Sequence, residues 1–238
     1  MPHVKRLTLA ETAPEEFGAS AKKWKSAIHT VRFSKDGNYS LLGTSSKLLC
    51  LYNPYRGRMI QKYQAHGLDV ISCDCASDNA TIISGSKDKA CIAWDVETAK
   101  TIKRFRDHLG PVTRCVFPRA TNTLVVTGSG DTFVRLWDLE NRQQSKPVQE
   151  MKHATDTITA LDCRKHYIAS GSADGILRIY DIRKGQLASY DLAQGVIVVI
   201  RKNVEKYMYF IYMTYYASEL FLASKRTFRN ISTAGFST

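Results

Sequence analysis

No two cysteines in this chain stand in the C-x-x-C spacing of zinc ribbons and redox motifs, although there are six: Cys50, Cys73, Cys75, Cys91, Cys115 and Cys163. The C-x-C of Cys73 and Cys75 has no matching histidine or cysteine pair, so no metal site is expected. The opening stretch, MPHVKRLTLAETAPEEF, lacks the apolar core of a secretory signal. Most of the cysteines fall in alternating apolar runs, where a free thiol behaves as a small buried hydrophobe. Reduced cysteines in a protein of the cytoplasm or nucleus are the expectation.

Other absences narrow the chemistry. There is no P-loop, G-x-G-x-x-G, H-E-x-x-H or G-x-S-x-G, so nothing calls for a nucleotide, a cofactor or a small-molecule substrate. The net charge of +12, six of whose basic residues lie in 201–238, favours acidic partners without choosing among them. No long Lys/Arg block exists, so a dedicated nucleic-acid tail is unsupported and direct nucleic-acid binding is not expected. The apolar stretch from Tyr207 to Ala223 contains Glu219. It is shorter than the ~20 residues a membrane helix needs, so no membrane span is expected.

What the chain does have is a repeat. SGSKDKACIAWDVETAK (Ser84–Lys100) recurs as TGSGDTFVRLWDLENRQ (Thr127–Gln143) and as SGSADGILRIYDIRKGQ (Ser170–Gln186), with a weaker copy in LGTSSKLLCLYNPYRGR (Leu42–Arg58). The anchors Asn53, Asp95, Asp138 and Asp181 are 42, 43 and 43 residues apart. His66, His108 and His153 each open a unit. Strand-like segments such as VISCDCA, ATIISGS and ACIAWDV alternate with the turn signals SDN, KDK and ETA. A period of about 40–45 residues ending in Trp-Asp is the signature of a four-stranded propeller blade.

At these residues the chain resembles WD40 repeats, and the resemblance implies an all-β propeller. Four blades are recognisable across residues 25–190. NPYRG (Asn53–Gly57) and YDIRKGQL (Tyr180–Leu187), with the stretches around them, further resemble the mitogen-activated protein kinase organizer family, WD repeat domain 83. That family is similar to a closed ring of seven blades. Residues 191–200, with GVIVVI, are a candidate inner strand of a fifth blade, and 201–238 read as an irregular, non-repeat tail left by truncation or mis-splicing. In the N-terminal segment 1–24, KRLTL (Lys5–Leu9) resembles the family's latch strand, here with no last blade to close onto. Four blades leave unpaired sheet edges, so marginal stability or aggregation is expected of the chain alone.

His66, Ser84 and Asp88 have the residue types of a hydrolase triad. The same types return as His108, Thr127 and Asp131, and as His153, Ser170 and Asp174. A catalytic site is rarely built three times, and no catalytic residue is assigned. With Trp94, Trp137 and Tyr180, these sets resemble the structural tetrad of WD40 blades. In the first copy Ser46 stands in the aspartate's place and Tyr52 in the tryptophan's.

The resemblance implies a non-catalytic scaffold that binds proteins through its loops. Candidate contact residues are Asp69, Lys87, Lys89, Arg114, Asp156 and Arg183. The partners it implies are components of the extracellular-signal-regulated kinase (ERK) cascade and spliceosomal proteins. Two alternatives remain open: a spliceosome- or RNA-associated factor without a signalling role, and a substrate receptor of a cullin-4 ubiquitin ligase, to whose W-D-x-R signature only YDIR (Tyr180–Arg183) comes near.

Overall fold

The computed structural model describes residues 26–118, 121–141, 146–164, 166–183, 186–191, 196–202 and 209–214. Among them every regular element is a strand. The first antiparallel sheet holds β1 (Ile28–Phe33), β2 (Ser40–Thr44), β3 (Leu48–Asn53) and β4 (Arg58–Gln64). The second holds β5 (Val70–Cys75), β6 (Thr81–Ser86), β7 (Cys91–Asp95) and β8 (Thr101–Phe105). The third holds β9 (Val112–Val116), β10 (Leu124–Ser129), β11 (Val134–Asp138) and β12 (Gln149–Met151). The fourth holds β13 (Ile158–Arg164), β14 (Tyr167–Ser172), β15 (Ile176–Asp181) and β16 (Gln186–Asp191). Neighbours in sequence are neighbours in each sheet, so each sheet is a meander.

Successive sheets meet through their first strands: β1 packs on β5, β5 on β9, β9 on β13 and β13 on β17 (Val196–Lys202). This is the arrangement of propeller blades about an axis, with β1, β5, β9 and β13 innermost. Strand β17 pairs with β18 (Tyr209–Thr214). The second of these lies inside the stretch expected to be irregular. Its sequence, YFIYMT, is aromatic and β-branched, which suits a strand although it carries no repeat motif. The candidate latch at 5–9 lies outside the described residues, as does most of 201–238.

Three apolar clusters lie in the three gaps between the four sheets, and each takes one large ring from the third strand of the later sheet. Trp94 sits between the first and second sheets, Trp137 between the second and third, and Tyr180 between the third and fourth. The preceding sheet meets each ring with an apolar residue of its fourth strand: Tyr63, Phe105 or Met151. Tyr63 also donates its hydroxyl hydrogen to the Val96 carbonyl at 3.1 Å, pinning the first sheet's outer strand to the second sheet. Nearer the axis, side chains of β5 satisfy backbone amides of β9 and of the residue that follows it. Ser72 Oγ accepts from Cys115 N at 3.0 Å and Asp74 Oδ2 accepts from Phe117 N at 2.9 Å. All six cysteines are free and buried, and burial raises the thiols of Cys50 and Cys75 to about 11.

The glycines of the first three S-G-S-like stretches, Gly43, Gly85 and Gly128, have a packing reason. A Cβ on Gly85 would lie 2.8 Å from Val112 Cγ1 and 3.1 Å from the Val112 carbonyl oxygen of the next sheet. Gly43 faces Val70 and Gly128 faces Ile158 with the same lack of room. Gly85→Ala is therefore expected to destabilise the protein by about 1–3 kcal/mol, the usual cost of an extra carbon in a filled core. Urea unfolding followed by circular dichroism checks this, and a variant as stable as the parent would show that the two sheets are not held in close contact at this point.

Candidate functional site

Each turn between the second and third strands contains a residue in the left-handed region: Lys47 (φ 65°), Lys89 (67°), Thr132 (73°) and Gly175 (80°). In the last three sheets an aspartate precedes it and steadies the turn by accepting, through Oδ1, from the amide two residues on. These bonds run from Ala90 N to Asp88 (3.0 Å), from Phe133 N to Asp131 (3.1 Å) and from Ile176 N to Asp174 (2.9 Å). The turn thus fixes the carboxylate with Oδ2 directed at the loop that enters the same sheet.

In the second sheet Asp88 Oδ2 accepts from Gly67 N at 2.8 Å and faces His66 Nδ1 at 3.0 Å. A carboxylate only accepts, so Nδ1 carries the proton and Nε2 is the acceptor. Nε2 lies 2.8 Å from Ser84 Oγ, whose hydroxyl donates to it, while the Trp94 indole N–H donates to the same oxygen at 2.8 Å. The third sheet repeats this relay. Asp131 Oδ2 meets His108 Nδ1 at 2.9 Å, His108 Nε2 meets Thr127 Oγ1 at 2.7 Å, and Trp137 Nε1 donates to Thr127 Oγ1 at 2.8 Å.

Burial works to raise the Asp88 and Asp131 carboxyls, but hydrogen bonds from the histidines and the loop amides hold both well below the usual carboxylate range. Ser84 and Thr127 are fully buried, and each hydroxyl is committed on both sides. A nucleophile must reach its substrate, and these oxygens face only protein. The triad-like sets bind the sheets together internally.

Sequence reasoning missed Arg135. Its Nη1 donates to Asp131 Oδ2 at 2.7 Å and its Nε to Glu150 Oε1 at 2.8 Å, so a buried guanidinium joins the relay to the fourth strand of its own sheet. Arg178 stands at the same offset in the fourth sheet, 2.9 Å from Asp174. The signal was an arginine four residues after the turn aspartate in DTFVR and DGILR, absent from DKACI.

The fourth sheet corrects one assignment. His153 is exposed and has no hydrogen bond to Asp174. Asp174 Oδ2 accepts instead from the Thr155 amide (3.0 Å) and the Thr155 hydroxyl (3.1 Å). In the other two relays the amide bound to the aspartate belongs to the residue after the histidine, so the histidine's place here is held by Ala154. Three residues lie between His66 and Val70 and between His108 and Val112, but four lie between His153 and Ile158. That extra residue carries the imidazole out of the sheet, where it lies beside the Tyr180 ring, 5.7 Å between centroids.

Ser170 Oγ and the Tyr180 hydroxyl are then buried without a hydrogen-bond partner. Burial raises the Tyr180 phenol, and nearby Ser170 offsets this only in part. The double variant Ala154→His, Tyr180→Trp supplies both missing members. It is expected to be more stable than its single variants predict by addition, with a favourable coupling of about 0.5–3 kcal/mol. A double-mutant cycle in urea measures it, and additive behaviour would mean that no relay forms.

The first sheet has no relay. Leu42, buried, occupies the hydroxyl position, so no polar group there needs a partner. Ser46 Oγ bonds to Thr44 Oγ1 at 2.8 Å and to Ser26 Oγ at 3.2 Å, while Tyr52 is half-buried.

The candidate contact residues scatter. Asp69 joins Lys87 Nζ at 2.8 Å and His29 Nε2 at 3.3 Å, tying the first sheet to the second at the end where the relay turns lie. Lys89 and Asp156 are exposed at that same end. Arg114 is half-buried on β9 and donates to the Thr113 carbonyl at 2.9 Å. Arg183 lies in the turn after β15, at the opposite end of its sheet, with Nε 3.6 Å from Asp181. The six therefore do not form one patch. Among the described residues no group of three or more His, Cys, Asp or Glu could hold a metal ion, and no helix is long and apolar enough to cross a membrane.

The WD domain, G-beta repeat family matches residues 57–95, 99–138 and 145–181, and these segments end on Asp95, Asp138 and Asp181. The chain carries WD40 repeats. Over 81 residues the chain is 32% identical to a WD repeat domain-containing protein 83 homolog of Dictyostelium discoideum, covering 34% of this chain and 25% of that protein. It is 42% identical over 59 residues to WD repeat domain-containing protein 83 of Homo sapiens (25% of this chain, 19% of that one). For the protein of that name from Danio rerio the identity is 36% over 71 residues (30% and 22%). The matched stretches thus span a quarter or less of the length of these relatives. WD40 domains generally bind proteins, with their sheets fixed and their turns free to vary.

Proposed function

We propose that this protein is a non-catalytic WD40 adaptor that organises mitogen-activated protein kinase (ERK) signalling complexes, is associated with pre-mRNA splicing, and works in both cytoplasm and nucleus. The observation that carries the non-catalytic part is the sealed relay. His66, Asp88 and Ser84, and His108, Asp131 and Thr127, are consumed inside their sheets, with Ser84 and Thr127 fully buried. What remains chemically free is the set of turns at the two ends of the sheets. The resemblance of NPYRG and YDIRKGQL to the mitogen-activated protein kinase organizers supports the choice of partners, as does the similarity to proteins named WD repeat domain-containing protein 83.

The test uses the full chain immobilised on beads and purified kinases of the ERK cascade added singly and together. Retention of two kinases at once, above that on a bead-bound control protein, is the expected result. If no kinase is retained, the signalling role is lost. RNA binding that falls steeply with salt would then favour the splicing-associated alternative.

A further inference from the structure

Between the first and second sheets, at the end opposite the relay turns, lies a cleft of about 330 Å³. Its walls are largely apolar, with Leu41, Leu51, Ile60, Ile82 and Val96 among the lining side chains. The next gap is closed by two residues whose counterparts here are smaller or shorter. Phe117, buried against Trp137 in the cluster between the second and third sheets, corresponds to Cys75, which lines the cleft. The pairing fixes this correspondence: Asp74 lies opposite Ile83 as Val116 lies opposite Val126, so the next residues along the two strands, Cys75 and Phe117, hold the same place. Lys103, opposite Ala93, reaches across its gap and donates to the Asp138 and Asn141 carbonyls, both at 2.7 Å. Its counterpart Gln61, opposite Leu51, has a side-chain amide that bonds to no described residue.

The rim is acidic on both sides. Glu97, exposed, makes no ion pair or side-chain hydrogen bond with any described residue. Asp36 accepts from Ser34 Oγ at 2.5 Å and from the Asn38 side chain at 2.7 Å, and has no cationic partner among the described residues. A volume of this size is at the small end of ligand-binding pockets and takes one or two aliphatic side chains. Carboxylates at both lips favour a positive charge beside them.

We infer that this cleft is a docking site for a partner peptide that buries one or two aliphatic side chains and sets a lysine or arginine next to them against Glu97 and Asp36. The inference rests on the scaffold reading and names one surface through which it operates. Gln61 supplies a free amide at the edge of the cleft for the backbone of such a peptide.

The probe is a fluorescein-labelled peptide, Gly-Ser-Leu-Ile-Lys-Arg-Gly-Ser, titrated with the full chain and read by anisotropy. Cys75→Phe closes the cleft with the residue type that fills the neighbouring gap, and Glu97→Lys reverses one lip on an exposed side chain. Each is expected to weaken binding about tenfold or more, as loss of an anchor pocket or its charge partner does. A peptide with Glu-Glu in place of Lys-Arg is expected not to bind. The inference is overturned if the parent protein does not bind the probe, or if Glu97→Lys and a folded Cys75→Phe bind it as tightly as the parent. Should Cys75→Phe fail to fold, Glu97→Lys and the Glu-Glu peptide decide alone. Kinase retention on the same beads separates the two ideas. Kinases held while the probe is ignored would remove the cleft and leave the scaffold standing, and the reverse would do the opposite.

Discussion

Asp131→Ala is expected to lower the stability of the protein by about 3–5 kcal/mol, the cost of removing one member of a buried charged network. Four donors converge on this carboxylate: His108 Nδ1, Arg135 Nη1, Leu109 N and Phe133 N. Alanine leaves all four without their acceptor, and the Arg135 side chain is only 6% exposed. A domain's whole stability is about 5–15 kcal/mol, so the variant is expected to be largely unfolded at modest urea concentrations. The parent should show a matching dependence on acid. The folded pKa of Asp131 lies below the unfolded value of about 3.9, so its contribution is fully present above that pH and is lost as the pH falls below it. Urea midpoints taken from pH 7 down to pH 3 should therefore fall less steeply for Asp131→Ala than for the parent below about pH 4. Parallel curves, or a loss of less than about 1 kcal/mol at pH 7, would mean that the carboxylate is not holding the relay.

The second large effect concerns Trp94. Its ring is 2% exposed, meets Tyr63 edge-on at 5.7 Å, and donates its indole N–H to Ser84 at 2.8 Å. Trp94→Ala is expected to cost about 3–5 kcal/mol through the cavity it opens between the first and second sheets. Trp94→Phe keeps one six-membered ring and removes the N–H with the small ring that carries it, so it should cost about 1–3 kcal/mol, mostly for the lost buried hydrogen bond. Calorimetric melting of both variants separates packing from hydrogen bonding. Equal losses would show that the hydrogen bond to Ser84, and not the bulk of the ring, carries the contribution of Trp94.

Much of this was legible because the repeat reports the same structure several times. An aspartate three residues before an apolar-aromatic run, repeated at 43-residue spacing, placed Asp88, Asp131 and Asp174 in equivalent turns. The histidines were read on residue type, and type alone misplaced His153. The length of the loop that delivers the ring to the sheet decides the matter, and one extra residue is enough to turn it outward. Arg135 and Arg178 were visible as letters, but nothing in a single strand says that an arginine in an apolar run faces a buried carboxylate on its own sheet. The cleft beside Cys75 was not legible at all. It arises from a difference in volume between Cys75 and Phe117, and only the register of the strands they end shows that these two residues stand in the same place. Likewise β18 has no repeat motif to announce it, only a strand-like composition.

Gly43, Gly85 and Gly128 carry a consequence larger than their size. At each of them a sheet meets the next with no room for a methyl group. The contacts sit beside β5, β9 and β13, close to the axis, where a small separation translates into a large angle between sheets. The curvature of the array is thus set by the hydrogen atoms on three α-carbons. A methyl group at all three would splay the sheets apart at the axis and change how many of them it takes to complete a turn.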